Sequence, residues 1–272
     1  MKTRFIKVVF MSFLICSITE SLHAQNFGTQ FQITPYSEFK IYNWKEFQDN
    51  GSLFLEESGL LFQEGFTGRI SFLKAKNLYV EPDLKFFFGK VDYDGSLQTQ
   101  GGGLQPYKSK TAYFGLIFNA NAGYIITLSK NFQIAPVAGL GIEYYNRDLD
   151  DGGQYGYDEK YTIFKFRIGG NGTYLLNKNI QIFSGLYLKI PISISESIDL
   201  ASRGQGGPSD ISLSPGKNPI FYIEAGASIY RAFFKIYFES WTLSKSEPDR
   251  GYLQPESVRK LFGIVLGYTL LF

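Results

Sequence analysis

The chain has 272 residues, with 27 Lys and Arg, 25 Asp and Glu, one His and one Cys, and its formal net charge is +2. This near balance argues against an electrostatic nucleic-acid binder, which carries a basic excess on one face. A single cysteine also excludes a disulfide within the chain.

The first 24 residues have the layout of a cleaved secretory signal. Lys2, Arg4 and Lys7 precede an apolar run over 8–18, and cleavage is expected after Ala24. The alternative, a membrane anchor, is disfavoured because a helix needs roughly 18 to 20 apolar residues to span a bilayer. A lipoprotein signal at Cys16 is also disfavoured. Such signals have a small residue directly before the cysteine, whereas Ile15 is large.

Cleavage would change the composition of the remaining chain. Met1, Met11, Cys16 and His23 would leave with the signal, together with three basic residues and one acidic residue. The remaining 248 residues, 25–272, would hold 24 basic and 24 acidic groups, with no histidine and no cysteine. We expect them to form a single domain, since β-barrels of this size are usually one unit.

The part of the chain after residue 25 is a series of amphipathic segments in which apolar and polar residues alternate with a period of two. This pattern predicts an all-β, antiparallel, up-and-down transmembrane barrel. Ten strands are predicted, at about 29–42, 58–72, 77–91, 111–128, 131–146, 161–176, 179–196, 219–230, 232–244 and 257–272.

The predicted connections alternate between short and long. Short turns are expected at 73–76, 129–130, 177–178 and near Arg231. Long polar links are expected around 43–57, 92–110, 147–160, 197–218 and 245–256. Short turns at one end and long loops at the other are typical of outer-membrane barrels, in which the short turns face the periplasm.

The last strand carries the strongest family signal. Its apolar face runs through Tyr268 and Leu270 to an aromatic final residue, Phe272. This ending resembles the closing strand of small Gram-negative outer-membrane β-barrel proteins. The resemblance implies export to the cell outer membrane, contact with outer-membrane lipid, and recognition of Tyr268, Leu270 and Phe272 by the barrel-insertion machinery.

The charged faces of the strands are predicted to point into the barrel, because hydrocarbon penalises charge and a lumen does not. Strand 58–72 is an exception, since Glu64 falls on the face of Phe62 and Phe66, and a bulge or a register shift is one explanation. A soluble β-sandwich or lipocalin-like barrel, with the faces reversed, is the alternative. The predicted inward charges are Glu38, Lys40, Arg69, Glu81, Asp83, Lys85, Glu143, Lys165, Arg167, Lys189, Glu224, Lys235, Glu239 and Arg259.

Two interpretations of this lumen remain. In a barrel close to the size that side chains fill, roughly 8 strands, mixed charges are expected to pair with one another. The alternative is a narrow channel or transporter for small solutes, with Lys165, Arg167, Lys189 and Arg259 setting selectivity.

An enzyme is disfavoured. Outer-membrane barrel proteases, lipid A-modifying enzymes and the phospholipase use a histidine in acid/base chemistry, whereas the single histidine here lies in the predicted signal. The omptin proteases are also ten-stranded, but their Asp-His pair has no match in this chain. No cofactor site and no metal site are predicted. Acidic residues between Asp148 and Glu159 lack the spacing of a calcium loop and indicate a solvated loop, and the glycine-rich stretches 101–103 and 204–207 indicate external loops.

The sequence therefore predicts a non-enzymatic structural or partner-binding barrel whose long loops make the contacts, and an envelope protein is a candidate partner. Outward residues that interrupt the apolar band, such as Glu64 and Ser240, are the predicted contact points for that partner.

Overall fold

The computed structural model describes residues 29–72, 77–98, 104–150, 156–201, 208 and 210–272. The predicted signal segment 1–24, the turn 73–76 and the glycine-rich stretches 101–103 and 204–207 lie outside these ranges. None of the described residues forms a helix that is long and apolar enough to cross a membrane.

The described residues form one antiparallel sheet. Its strands are β1 (Thr29–Phe47), β2 (Leu53–Phe72), β3 (Leu78–Gln98), β4 (Leu104–Tyr124), β5 (Ile126–Thr127), β6 (Phe132–Asp148), β7 (Asp158–Asn177), β8 (Ile180–Asp199), β9 (Ile211–Leu213), β10 (Gly216–Lys217), β11 (Ile220–Ile229), β12 (Ala232–Ser244), β13 (Glu256–Tyr268) and β14 (Leu270–Leu271).

Ten long strands close into a barrel, which confirms the predicted fold class. Each pairs with its neighbour along the chain, in the order β1, β2, β3, β4, β6, β7, β8, β11, β12, β13, and β13 pairs back onto β1. The four short strands extend this ring, since β5 pairs with β6, β9 with β8, β10 with β12 and β14 with β1. No sheet edge of the ring is left open, as a spanning sheet in lipid requires.

The closing strand continues in register with β1 to the last residue. Leu270 lies opposite Ile33, and the Phe272 amide donates to the Phe31 carbonyl at 2.9 Å. The rings of Phe31 and Phe272 are 6.0 Å apart.

The barrel has a turn end and a loop end, as predicted. At the turn end, β7 and β8 are joined over 178–179 and β11 and β12 over 230–231. The predicted loops 43–57 and 92–110 are wrong in extent, because β1 to β4 continue through most of them and the β1–β2 link is only 48–52. The strands therefore rise well above the level at which their outer faces stop being apolar.

The outer surface carries an apolar belt. On β4, Phe114, Leu116 and Phe118 are exposed by 58%, 36% and 42%. Each of the nine remaining long strands also has exposed apolar side chains on its outer face. Towards the loop end, exposed lysines follow the belt on four strands: Lys90, Lys110, Lys160 and Lys260. Because lipid tails solvate apolar groups and exclude charge, this belt with a charged upper border suits a bilayer.

Glu64 points outward into the belt. It pairs in register with Ser37 on one side and with the exposed Phe86 on the other. The bulge or register shift considered for this strand is absent at Glu64, since the β1–β2 pairing is continuous from residue 29 to residue 46. Instead, the Ser37 hydroxyl donates to a Glu64 carboxylate oxygen at 2.7 Å.

Replacing Glu64 by leucine should stabilise the isolated barrel. A carboxyl group on the lipid side is costly, and the Ser37 hydrogen bond recovers part of that cost, so we expect a gain on the order of 1 kcal/mol. Denaturant unfolding in lipid vesicles measures this, with Phe66→Leu, two residues along the same face, as the matched control. A Glu64→Leu barrel less stable than wild type would show that the carboxylate contributes to the fold.

Candidate functional site

The interior of the barrel is divided along its axis. A polar cavity of about 400 Å³ occupies the part towards the turn end. Above it lies an aromatic layer, which we define as Tyr42, Trp44, Tyr113, Tyr145, Tyr161 and Trp241. Above that layer, in the part of the barrel beyond the apolar belt, lies a loop-end cluster consisting of Glu46, Glu57, Arg147, Glu159, Glu196 and Gln254.

The cavity is lined by polar and charged side chains from all ten long strands. Among them are the fourteen inward charges named from the sequence: Glu38, Lys40, Arg69, Glu81, Asp83, Lys85, Glu143, Lys165, Arg167, Lys189, Glu224, Lys235, Glu239 and Arg259. The eight cations exceed the six carboxylates, so the lining has a formal charge of +2.

Eight of these groups form four separate pairs. Arg69 bonds Glu81 at 2.6 Å, Lys85 lies 3.2 Å from Asp83, Lys235 lies 3.0 Å from Glu224, and Lys40 lies 3.7 Å from Glu38. In all four pairs the two residues lie on one strand or on neighbouring strands. These pairs are neutral overall, so they contribute nothing to the excess charge.

The remaining two carboxylates serve three cations in a second group. Glu143 accepts from Lys165 at 2.6 Å and from Arg259 at 2.9 Å. Arg259 also donates to Glu239 at 3.0 Å, and Lys189 donates to the other oxygen of Glu239. The structure thus brings together the cations Lys165, Lys189 and Arg259, while the fourth predicted selectivity residue, Arg167, lies beside them.

The rings of the aromatic layer pack against one another at the loop-side end of the cavity. Tyr145 and Tyr161 stack with ring centroids 4.8 Å apart and planes at 13°, and Trp44 meets Tyr161 edge-on at 6.3 Å. Trp44, Tyr145 and Trp241 are each 1% exposed, and Tyr161 is fully buried. The layer also separates two guanidinium groups, since Arg147 lies over Trp44 at 5.2 Å and Arg259 lies over Trp241 at 4.9 Å.

The loop-end cluster concentrates negative charge around one cation. The Arg147 guanidinium bonds Glu159 at 2.6 Å, Glu57 at 3.2 Å and Glu46 at 3.3 Å. The amide nitrogen of Gln254, in the orientation that satisfies its neighbours, donates to the two carboxylate oxygens of Glu196 at 3.0 and 3.1 Å.

Four buried carboxylates with one guanidinium cannot all be ionised at low cost. Burial raises the pKa of Glu159 to about 7, with Arg147 opposing the shift and the negative charge of Glu46 reinforcing it. Burial and the neighbouring Glu159 raise the pKa of Glu196 well above its ordinary value. The cluster therefore holds protons under conditions in which exposed carboxyl groups have lost them.

The sequence pattern alone does not reveal this cluster. Glu46 and Glu57 fall in a predicted long loop, and Glu159 falls in a predicted solvated acidic loop, whereas it is 3% exposed on β7. The signal that could have revealed it is the alternation itself, which continues from Tyr42 through Trp44 to Glu46 without interruption. Among the described residues, no set of three or more His, Cys, Asp and Glu side chains is arranged to hold a metal ion.

The predicted insertion residues lie together on the outer surface at the turn end. Tyr268 is 42% exposed, and Leu270 and Phe272 follow on the same face by register with Ile33 and Phe31. Leu270 and Phe272 are half-buried. Recognition of these three residues by the barrel-insertion machinery stays a prediction.

Solved structures of other proteins share this architecture. The outer membrane protease OmpT from Escherichia coli matches with a TM-score of 0.54 and 11% identity, over 93% of this chain and 100% of that chain. The chain has the outer-membrane β-barrel fold. At this identity the similarity shows the fold alone.

Other barrels match less closely. The translocator domain of the autotransporter NalP from Neisseria meningitidis gives a TM-score of 0.43 at 9% identity, over 98% of this chain and 97% of that chain. A major outer membrane protein from Thermus thermophilus gives 0.40 at 13% identity, over 86% of this chain and 99% of that chain. No family model and no curated protein sequence matches the chain.

The loop end should be more stable in mild acid than at alkaline pH. Since the folded pKa of Glu159 is raised from 4.5 to about 7, its contribution to stability is fully present below pH 4.5 and is lost as the pH rises to about 7. Linkage puts this loss at about 3 kcal/mol. The Glu159→Gln variant should remove this part of the pH dependence, because a neutral amide does not titrate.

The measurement is the unfolding midpoint of the barrel in lipid vesicles between about pH 4 and about pH 8, a range that brackets both protonation states of Glu159. Glu247→Gln is the matched control, because Glu247 is an exposed carboxylate in the β12–β13 loop. Equal pH slopes for wild type and Glu159→Gln would contradict a proton held by Glu159.

Proposed function

We propose that this protein is an integral outer-membrane barrel that acts as a closed scaffold and binds a partner, in the cell envelope or outside the cell, through its loop end. The observation that carries the proposal is the aromatic layer, in which buried rings from opposite sides of the barrel meet. A lumen obstructed in this way supports binding at the surface over passage of solutes.

Location in the outer membrane is supported by the apolar belt, the charged interior and the closed antiparallel ring. The fold it shares with an outer-membrane protein points the same way. The general rule that short turns face the periplasm supports an orientation in which the loop end lies outside the cell.

A non-enzymatic role is supported by the sequence of residues 25–272, which contains no histidine. Histidine is the side chain most suited to acid/base work near neutral pH. The similarity to a protease does not bear on this, because a fold hosts many functions and the chemistry resides in a site.

The surface available to a partner is the part of the barrel that rises above the lysine border. The β3–β4 hairpin extends to Gln98 and Leu104, and its outer face carries charges instead of apolar residues. Lys108 bonds Asp94 at 2.6 Å and Lys110 bonds Asp92 at 2.5 Å, both exposed. An ordered, charged strand pair of this kind holds its surface in place, which reduces the entropy lost on binding.

Glu64 is a proposed second contact, within the membrane. A buried partner donor would satisfy its carboxyl group better than lipid does, and Ser37 already defines a small polar patch there. A partner of this site would be another membrane protein of the envelope.

Planar-bilayer conductance tests the closed scaffold. The refolded wild-type protein should give no steady openings, whereas the double variant Tyr161→Ala and Trp241→Ala should conduct, because it removes two rings of the aromatic layer. Heat-modifiable gel migration checks that each protein has folded and inserted.

Steady openings of the wild type, with an ion selectivity that changes in Arg167→Ala or Lys165→Ala, would overturn the closed scaffold. That outcome would support the alternative of a narrow channel or transporter for small solutes.

A further inference from the structure

One cation of the cavity has no counterion among the described residues. Seven of the eight lining cations lie within 4 Å of a carboxylate, and all six lining carboxylates are used in doing so. Arg167 is the exception: its Nε is buried without a hydrogen-bond partner. An arginine is always charged, so this group needs an anion or ordered water to complete it.

Two further cations lie next to Arg167. Lys189 lies directly opposite on β8, and Lys165 lies two residues before it on the same face of β7. Like charges placed opposite each other on neighbouring strands repel. The carboxylates whose charge acts on Arg167 are Glu224 and Glu81. Each is already in an ion pair, Glu224 with Lys235 at 3.0 Å and Glu81 with Arg69 at 2.6 Å. Glu143 and Glu239 are likewise shared by Lys165, Lys189 and Arg259.

Two tyrosines fix the orientation of the guanidinium. Its central carbon lies 3.6 Å from the ring centre of Tyr187 and 5.6 Å from that of Tyr222. The Tyr187 ring fits there because Gly169 faces it, where an added Cβ would lie 2.7 Å from the ring. A guanidinium held with its face on a ring keeps its edge, which carries the N–H donors, available to a ligand.

The cavity extends to the turn-side ends of the strands. Its lining includes uncharged polar side chains near the turn-side ends of the strands, among them Gln32, Gln181, Ser228 and Thr269. Arg167 itself is half-buried, so it is in contact with the space that these residues line.

We propose that Arg167 is the centre of a binding site for a small oxyanion that enters from the turn end. The ligand class is a carboxylate or a phosphate, because both present two oxygens at the spacing of a guanidinium edge. The excess of +2 in the lining attracts such an anion, and one bound anion supplies the counterion that the described residues do not. The site goes beyond the proposed scaffold function, and it requires the cavity but not an open lumen.

Isothermal titration of the refolded full barrel in a nonionic detergent tests the site with two probes, sodium acetate and inorganic phosphate. The buffer contains chloride as its only small anion. We expect saturable binding of at least one probe, with at least about tenfold weaker affinity in Arg167→Gln, since a charge-assisted hydrogen bond contributes about 1.5 to 3 kcal/mol. The probe that binds identifies which oxyanion the site takes.

Three further variants separate the site from general effects. Arg167→Lys keeps the charge without the fork and should bind several-fold more weakly, and it replaces Arg167→Gln in the comparison if that variant does not fold. Tyr187→Phe keeps the ring and should bind as wild type does. Arg231→Gln, at the exposed β11–β12 turn, should also leave the affinity unchanged.

Absence of binding of both probes to folded wild type would overturn the proposal, as would equal affinity of wild type and Arg167→Gln. Neither result depends on conductance, so the anion site and the closed scaffold can fail separately.

Discussion

The pairing of β13 with β1 is the constraint on which the rest of the interior depends. Once the ring is closed, every second residue of ten strands points into a space that bulk water cannot fill freely. Charges in that space must be neutralised by other side chains of the same interior, because a buried unpaired charge is costly. The arrangement of inward ion pairs is therefore a consequence of closure, and the outer belt is its complement in lipid.

The positive and negative charges of the interior nearly cancel in total, but they do not cancel within the cavity lining or within the loop-end cluster taken separately. The cavity lining has eight cations and six carboxylates, whereas the loop-end cluster has one guanidinium and four carboxylates, so together these levels hold nine cations and ten carboxylates. The aromatic layer keeps the two excesses apart, so the lower level retains positive charge and the upper level retains protons. The barrel thus carries a polarised interior, although the charges of residues 25–272 cancel.

The sequence was sufficient for the parts of the fold that the period of two determines. It located all ten long strands, and it predicted the bounds of β12, 232–244, as the structure has them. It failed where polar composition was interpreted as a loop. Residues 43–57 and 92–110 are rich in charge and glycine, yet most of them continue the strands, because above a membrane the outer face of a strand can be polar too.

For the candidate site, the sequence predicts the features that depend on neighbouring residues and not the contacts between distant ones. The inward face of each strand can be assigned from alternation, so the charged residues that line the cavity could be predicted from the sequence. The ion pairs that these residues form could not be predicted, because the partners are far apart in the sequence. Arg259 bonds Glu143, 116 positions away, and Arg147 bonds Glu46, 101 positions away.

A cavity closed at one end, as we propose for this barrel, would hold an ion differently from a pore with the same lining. In a pore, a bound ion must leave on the far side, so strong binding opposes conduction. In the closed scaffold that we propose, an ion below the aromatic layer would leave only by the end at which it entered, and strong binding would then carry no penalty of that kind. An unpaired arginine therefore fits a closed barrel better than it fits a channel.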